Sequence, residues 1–120
     1  MSGSGPTLSG PERLRVYHLA LAFARQVDAL LRRLRLRSSL ADQLTRAAES
    51  IILNIAEGAA HFSPGKKRYH YRLAHGSASE CIGALTRLRD RYPGLDVRTL
   101  RRTADMICVM LMPLMKDSPE

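Results

Sequence analysis

Basic side chains are the residues of this sequence whose type and spacing point most directly to chemistry. Lys and Arg number 19 against 11 Asp and Glu, which gives a formal net charge of +8, and most of these cations are arginine. The arginine fork suits phosphate oxygens, although a GC-rich genome produces the same bias towards arginine. The excess therefore predicts an anionic partner, with nucleic acid as the first candidate and a merely solvated face as the alternative.

The basic residues fall into three groups that are expected towards different ends of the folded chain. The first two groups are the predicted nucleic-acid contacts, and the second of them forms a local positive field of the kind that binds phosphates. The third group flanks a predicted turn. In chain order the groups are Arg32, Arg33, Arg35 and Arg37; Lys66, Lys67, Arg68 and Arg72; and Arg87, Arg89, Arg91, Arg98, Arg101 and Arg102.

Patterns typical of enzymes and metal sites are missing from the sequence. It has no catalytic triad arrangement, phosphate-binding loop or dinucleotide-binding glycine pattern, and no Glu-x-x-His pair of the kind that holds two iron ions in a helical bundle. Glu57 and His61 are four residues apart, but Gly58 is expected to interrupt the helix between them. We therefore predict no catalytic residue, no metal site and no cofactor.

A set of polar and small residues lies next to core positions of the predicted second and third helices. A buried amide without a partner costs about 1–3 kcal/mol, so Asn54 must be hydrogen-bonded inside the protein or face a partner. Gly76 lowers helix propensity by about 1 kcal/mol relative to alanine, which predicts close contact with another helix. A polar network that fixes helix register is favoured over a ligand site. Its predicted members are Asn54, Glu57, Gly58, Gly76, Ser77 and Glu80.

Apolar stripes with helical spacing must position these side chains. Steps of three and four residues predict helices over 11–35, 39–57, 64–91 and 96–115. Gly58 is expected to end the second helix, and Pro113 to end or kink the fourth. Because no window shows strand-like alternation, the predicted fold class is all-α, an antiparallel up-and-down four-helix bundle. Residues 1–10, rich in Gly, Ser and Pro, and residues 117–120 are predicted to be disordered.

The fourth helix has a second apolar face. Its run from Met106 to Met115 is apolar on every side yet too short for the roughly 18 residues of a membrane span, so this face most simply meets another subunit. An unusually buried helix is the alternative. Cys81 and Cys108 are predicted to be buried thiols. Because the sequence also shows no signal-peptide pattern, we predict a cytoplasmic protein. The predicted oligomer contacts are Met106, Cys108, Met110, Met112 and Met115.

The stretch from Ser50 to Glu80 resembles the signature of a bacterial family of S23-like four-helix bundles, named for proteins encoded in intervening sequences of 23S ribosomal RNA genes. The likeness lies in Asn-Ile-Ala-Glu-Gly followed by Ala-x-Gly-Ser-x-x-Glu, and the stretches Leu14–Ala24 and Leu40–Ile51 fit it as well. The resemblance implies a homopentameric ring. It also implies kinship with the accessory proteins of diversity-generating retroelements, which are basic pentamers that bind nucleic acid and a reverse transcriptase.

Charge and resemblance together predict a non-enzymatic homo-oligomer, most simply a pentamer, that binds RNA or DNA without sequence specificity. An accessory role for a reverse transcriptase or an RNA-processing partner is the more specific form of this hypothesis. The alternative is a protein–protein adaptor or scaffold with no nucleic-acid role, in which the positive charge serves solubility alone.

Overall fold

The structure is a computed structural model that describes residues 14–116, and within that range it contains four α-helices and no β-strand. The all-α fold class is therefore confirmed. The terminal segments 1–10 and 117–120, predicted to be disordered, lie outside the described residues. The helices are α1 (Arg15–Arg33), α2 (Ser39–Ala60), α3 (Pro64–Arg91) and α4 (Arg98–Met115).

The core of the bundle is built from one apolar stripe of each helix. Each helix packs against the next along the chain, and α1 also packs against α4, which closes the bundle. Phe23, Leu44, Ile51, Leu85 and Ile107 are all completely buried in this core. Side chains spaced three or four residues apart share one face of a helix, so four such stripes produce one continuous core.

The range of α3 is as predicted, whereas α1 ends at Arg33 rather than residue 35, α4 begins at Arg98 rather than residue 96, and α2 differs at its end. The second helix was expected to end at residue 57 or 58, but α2 continues to Ala60 with Gly58 buried inside it against the ring of Tyr71. Pro113 was expected to end or kink the fourth helix, and it does not end it: α4 runs through Pro113 to Met115, where the predicted range 96–115 also ends. Pro113 and Val109 lie on the exposed face, where water can satisfy the Val109 carbonyl that proline leaves without a backbone donor.

Candidate nucleic-acid interface

Two of the three basic groups lie together at one end of the bundle. The α1–α2 turn and the α3–α4 turn meet there, with Leu34 and Leu36 lining the same cleft as Tyr92 and Leu95. The sequence prediction that the groups point to different ends is therefore wrong for the first and third. We call this region the arginine-rich end. Its arginines are Arg32, Arg33, Arg35, Arg37, Arg87, Arg89, Arg91, Arg98, Arg101 and Arg102.

The α1–α2 turn presents its arginines through a strained helix terminus. The Leu36 N–H donates to the Leu31 carbonyl at 3.0 Å, and the Arg35 N–H donates to the Arg32 carbonyl at 3.1 Å. These two bonds form a Schellman motif, which requires a left-handed residue and usually has glycine there. Arg35 occupies that position with a φ of 50°, a conformation that costs a non-glycine residue about 1–2 kcal/mol. The motif therefore places an exposed arginine at a position where glycine would adopt the left-handed conformation at lower cost.

Carboxylates neutralise only part of the charge of the arginine-rich end. Asp96 accepts hydrogen bonds at 3.0 Å from the Arg98 backbone N–H, its Nε and its Nη2, which lowers the pKa of Asp96 to about 2. Asp90 forms an ion pair with Arg87, with 3.5 Å between Asp90 Oδ2 and Arg87 Nη1. An open cleft of about 750 Å³ between α1 and α2 combines Asp28 and Asp42 with Arg32, Arg35 and Arg37 of the same end. Because the arginines outnumber the aspartates, the end as a whole remains positive.

The second basic group lies at the opposite end of the bundle, where α3 begins and α4 ends. Arg72 Nη2 donates to the Met115 carbonyl at 3.2 Å, and Lys67 Nζ donates to the Gly58 and Ala59 carbonyls at 3.1 and 3.2 Å. Both cations thus cap the C-terminal ends of helices, where the helix dipole favours positive charge. The 18-residue helix α4, about 27 Å long, separates the two groups predicted to bind nucleic acid.

Two exposed aromatic side chains accompany this second group. Phe62 is 98% exposed and Tyr69 is 57% exposed, beside the exposed Lys66 and the half-buried Arg68. Exposed aromatic rings next to cations are also typical of single-stranded nucleic-acid sites. We call this region the opposite end, and it is the surface against which the arginine-rich end must be tested.

The predicted polar residues of α2 and α3 meet through a serine that the sequence prediction missed. Asn54 Nδ2 donates to the Ser50 carbonyl at 3.0 Å and to Ser50 Oγ at 3.1 Å, while Ser77 Oγ donates to Ser50 Oγ at 2.9 Å. The Asn54 amide oxygen lies 3.1 Å from His70 Nδ1. The position of Ser50, four residues before Asn54 on the same helical face, is the signal that points to it.

The remaining polar and small residues of that set have separate surroundings. Glu57 is exposed and pairs with His61, and Glu80 lines an open cleft beside Ser77. Gly58 is in close contact, since a Cβ there would lie 2.7 Å from Tyr71 Cε1. Gly76, expected to permit close helix contact, is exposed, and a Cβ there would meet no atom of residues 14–116 within 4 Å. The prediction that Gly76 permits close helix contact is therefore wrong for contacts between the helices of one chain.

The predicted oligomer contacts of α4 divide between its two faces. Met106 and Met112 are each 50% exposed and, with Val109, form an outward apolar stripe. Met110 and Met115 are half-buried against the core. Cys108 was misassigned to the outer face, because its side chain is buried in the core and its Sγ lies 3.8 Å from Ser79 Oγ. An evenly apolar run leaves its inner and outer faces indistinguishable in the sequence.

Both cysteines are buried thiols without a disulfide, as the sequence predicted. Burial is the main cause that raises the pKa of Cys81 to about 12, and it also raises the pKa of Cys108. A thiol that stays protonated is a poor nucleophile and a poor metal ligand at neutral pH. In the part of the chain that the structure describes, no helix combines the length and apolarity needed to cross a membrane.

The described residues form a small all-α protein in which the α1–α2 and α3–α4 turns lie at one end and carry many arginines. Residues 12–112 match the sequence profile of the 23S rRNA-intervening sequence protein family. The chain therefore belongs to this family.

A solved structure shows the same fold. It is the crystal structure of a protein of unknown function from the S23 ribosomal protein family of Bacteroides thetaiotaomicron. The likeness has a TM-score of 0.76 at 21% sequence identity, and it covers 85% of this chain and 96% of that chain. At this identity the likeness extends to the fold alone. No curated protein matches the sequence.

Proposed function

We propose that this protein is a non-enzymatic homo-oligomer that binds RNA through the phosphate contacts of its arginine-rich end. The observation that carries the proposal is the meeting of two arginine-bearing turns at one end of the bundle. Arginine forks bind phosphate oxygens in pairs, and such contacts provide affinity without reading sequence. The family is named for an intervening sequence of 23S rRNA, which makes RNA the first nucleic acid to test.

A salt series of binding measurements with labelled RNA and DNA oligonucleotides tests this proposal. We expect log Kd to rise with log salt, with a slope of about 0.7 for each single-strand phosphate neutralised. The test variant combines Arg33→Gln, Arg37→Gln and Arg91→Gln, all at the arginine-rich end. It should weaken RNA binding at least about tenfold at low salt and lower the slope.

A matched control removes the same charge from the opposite end. Arg15, Lys66 and Lys116 are exposed near the start of α1, the start of α3 and the end of α4. Lys66 belongs to the second group predicted to bind nucleic acid, but that group lies outside the proposed binding surface, so replacement of the three by glutamine should change the affinity little. If both triple variants lose the same RNA affinity, binding depends on net charge alone and not on the arginine-rich end. Failure of the unmodified chain to bind RNA or DNA at low salt, with capture of one specific protein, would favour the adaptor function instead.

Assembly is the second part of the proposal. The exposed stripe of Met106, Val109 and Met112 gives α4 an apolar face that a second copy of the chain can cover, and the resemblance to pentameric relatives makes a ring of five the expected form. Val109→Glu should reduce the mass measured by light scattering to that of a monomer. Leu53→Glu, at an exposed apolar residue of α2, is the control. A monomeric unmodified chain at micromolar concentration would refute this part.

An oligomer repeats the arginine-rich end, and several weak phosphate contacts on one RNA then act together. A basic ring of this kind suits an accessory role for a reverse transcriptase or another RNA-processing partner, which is the more specific form of the proposal. Co-purification of such an enzyme with the tagged chain, persisting after nuclease treatment, would support a direct protein contact. Loss of the enzyme on nuclease treatment would limit the role to shared RNA.

A further inference from the structure

Three potential metal ligands meet where α2 ends and α3 begins. Because α2 continues through Gly58, Glu57 and His61 lie one helical turn apart, and His61 Nε2 is 3.4 Å from Glu57 Oε2. His70, from the second turn of α3, completes the group, and one ligand atom from each of the three residues lies within 4.8 Å of the others. The sequence prediction of no metal site assumed that Gly58 breaks this helix, and that assumption is wrong.

The hydrogen bonds of Asn54 determine which ring nitrogen of His70 carries the proton in the neutral imidazole. The amide nitrogen of Asn54 donates to Ser50, which fixes its oxygen on the side of His70 Nδ1, 3.1 Å away. An amide oxygen only accepts hydrogen bonds, so in the neutral imidazole Nδ1 carries the proton and Nε2 carries the lone pair. Metal-binding histidines are commonly held in this way, with one ring nitrogen donating to an oxygen and the other on the metal.

The surroundings of the cluster contain both attractive and repulsive charge. The cluster lies at the C-terminal end of α2, where the helix dipole favours cations, and Glu57 adds a carboxylate. The ammonium of Lys67 also binds this end, at the Gly58 and Ala59 carbonyls. Its charge repels a metal ion, so we expect micromolar rather than nanomolar affinity.

We propose that Glu57, His61 and His70 bind a divalent transition-metal ion, for which Zn²⁺ is the reference. Two imidazoles and one carboxylate form a donor set that zinc uses, whereas Mg²⁺ and Ca²⁺ prefer oxygen ligands throughout. Glu57 Oε2 and His61 Nε2 lie 3.4 Å apart before any turn of the histidine rings, so both atoms are close enough to reach one ion. Water takes the fourth position.

Metal binding requires one local adjustment. The rings of His61 and His70 are stacked, with centroids 5.1 Å apart and planes at 14°, so their lone pairs cannot yet converge on one ion. His70 is held by Asn54, whereas the His61 side chain, which is 32% exposed, pairs with Glu57 and stacks on His70, and it must rotate towards the ion. The proposed site therefore requires one imidazole to turn.

Calorimetric titration of the untagged chain with ZnCl₂ tests the proposal, with MgCl₂ as the comparison. We expect one Zn²⁺ per chain at micromolar Kd and no heat from Mg²⁺ at the same concentrations. His61→Ala and His70→Ala should each weaken zinc binding at least about tenfold, since each removes one ligand. His75→Ala removes a half-buried histidine elsewhere on α3 and should leave binding unchanged. Circular dichroism confirms that each variant is folded.

Asn54→Ala tests the orienting role of this positioning residue. We expect zinc affinity to fall about 10-fold or more, in the range known for residues that orient a metal ligand. Nitrogen NMR of the histidine ring should show the Nδ1–H form of His70 in the unmodified chain and a mixture of forms in the variant. Equal zinc binding by the unmodified chain and the His61→Ala/His70→Ala double variant would overturn the proposal, as would no zinc binding at micromolar concentration.

Discussion

Replacing Gly58 with alanine should destabilise the bundle, although alanine is the better helix former. The new Cβ would lie 2.7, 2.9 and 3.0 Å from the Cε1, Cδ1 and Cζ atoms of Tyr71. Tyr71 is only 5% exposed, so its ring cannot move into solvent without breaking the core. Overpacking costs about 1–3 kcal/mol, and the higher helix propensity of alanine returns about 1 kcal/mol. We therefore expect a net loss of up to about 2 kcal/mol.

The chain supplies its own matched controls for this substitution. Gly76 and Gly83 lie on the exposed face of α3, where a Cβ would meet no atom of the described residues within 4 Å. Their replacement by alanine should raise the free energy of unfolding by up to about 1 kcal/mol. Urea unfolding followed by circular dichroism, at one protein concentration, measures all three. Gly58→Ala as stable as Gly76→Ala would refute the close packing on Tyr71.

Three further predictions concern a turn, a buried thiol and an ion pair. Arg35→Gly should raise the free energy of unfolding by about 0.5–1 kcal/mol in urea, because the relief of left-handed strain exceeds the entropy cost of glycine; Arg35→Ala should bring no such gain. Cys81, whose pKa is raised to about 12, should react with a thiol reagent at pH 8 only on unfolding. Its contribution to stability should fall as pH rises from about 9 towards 12, because the thiol ionises first in the unfolded chain; rapid labelling in native buffer would contradict this. The pKa of Asp96 is lowered to about 2, so its pairing with Arg98 should contribute above about pH 4 and disappear as pH falls towards 2; Asp96→Asn should flatten that part of the urea stability profile, and an unchanged profile would contradict the pairing.

The helices could be predicted from the sequence because their information is local. The stripe through Phe23 and Val27 in α1, and its counterpart through Leu85 and Leu88 in α3, are core positions in the structure as the three- and four-residue spacing requires. Gly58 was misread because the packing that keeps it helical comes from Tyr71, 13 residues further along the chain. A glycine that ends a helix and one that accommodates a ring are identical in sequence.

The candidate sites were harder to predict because they depend on which turns and helix ends meet. The up-and-down topology places the turn of Arg33 beside the turn of Arg91, and the two stretches are far apart only in sequence. The cluster of Glu57, His61 and His70 needs both an unbroken α2 and the packing of α3 across its end. Neither condition follows from the spacing of the ligands themselves.

The central claim is that RNA binds at the arginine-rich end, and ultraviolet cross-linking with mass spectrometry tests it most directly. The two ends carry different exposed aromatic side chains: Tyr92 at the arginine-rich end, and Phe62 and Tyr69 at the opposite end. Unpaired bases stack on such rings, which brings them within cross-linking distance. We predict cross-links on the peptide that contains Tyr92. Cross-links confined to Phe62 and Tyr69 would contradict the account.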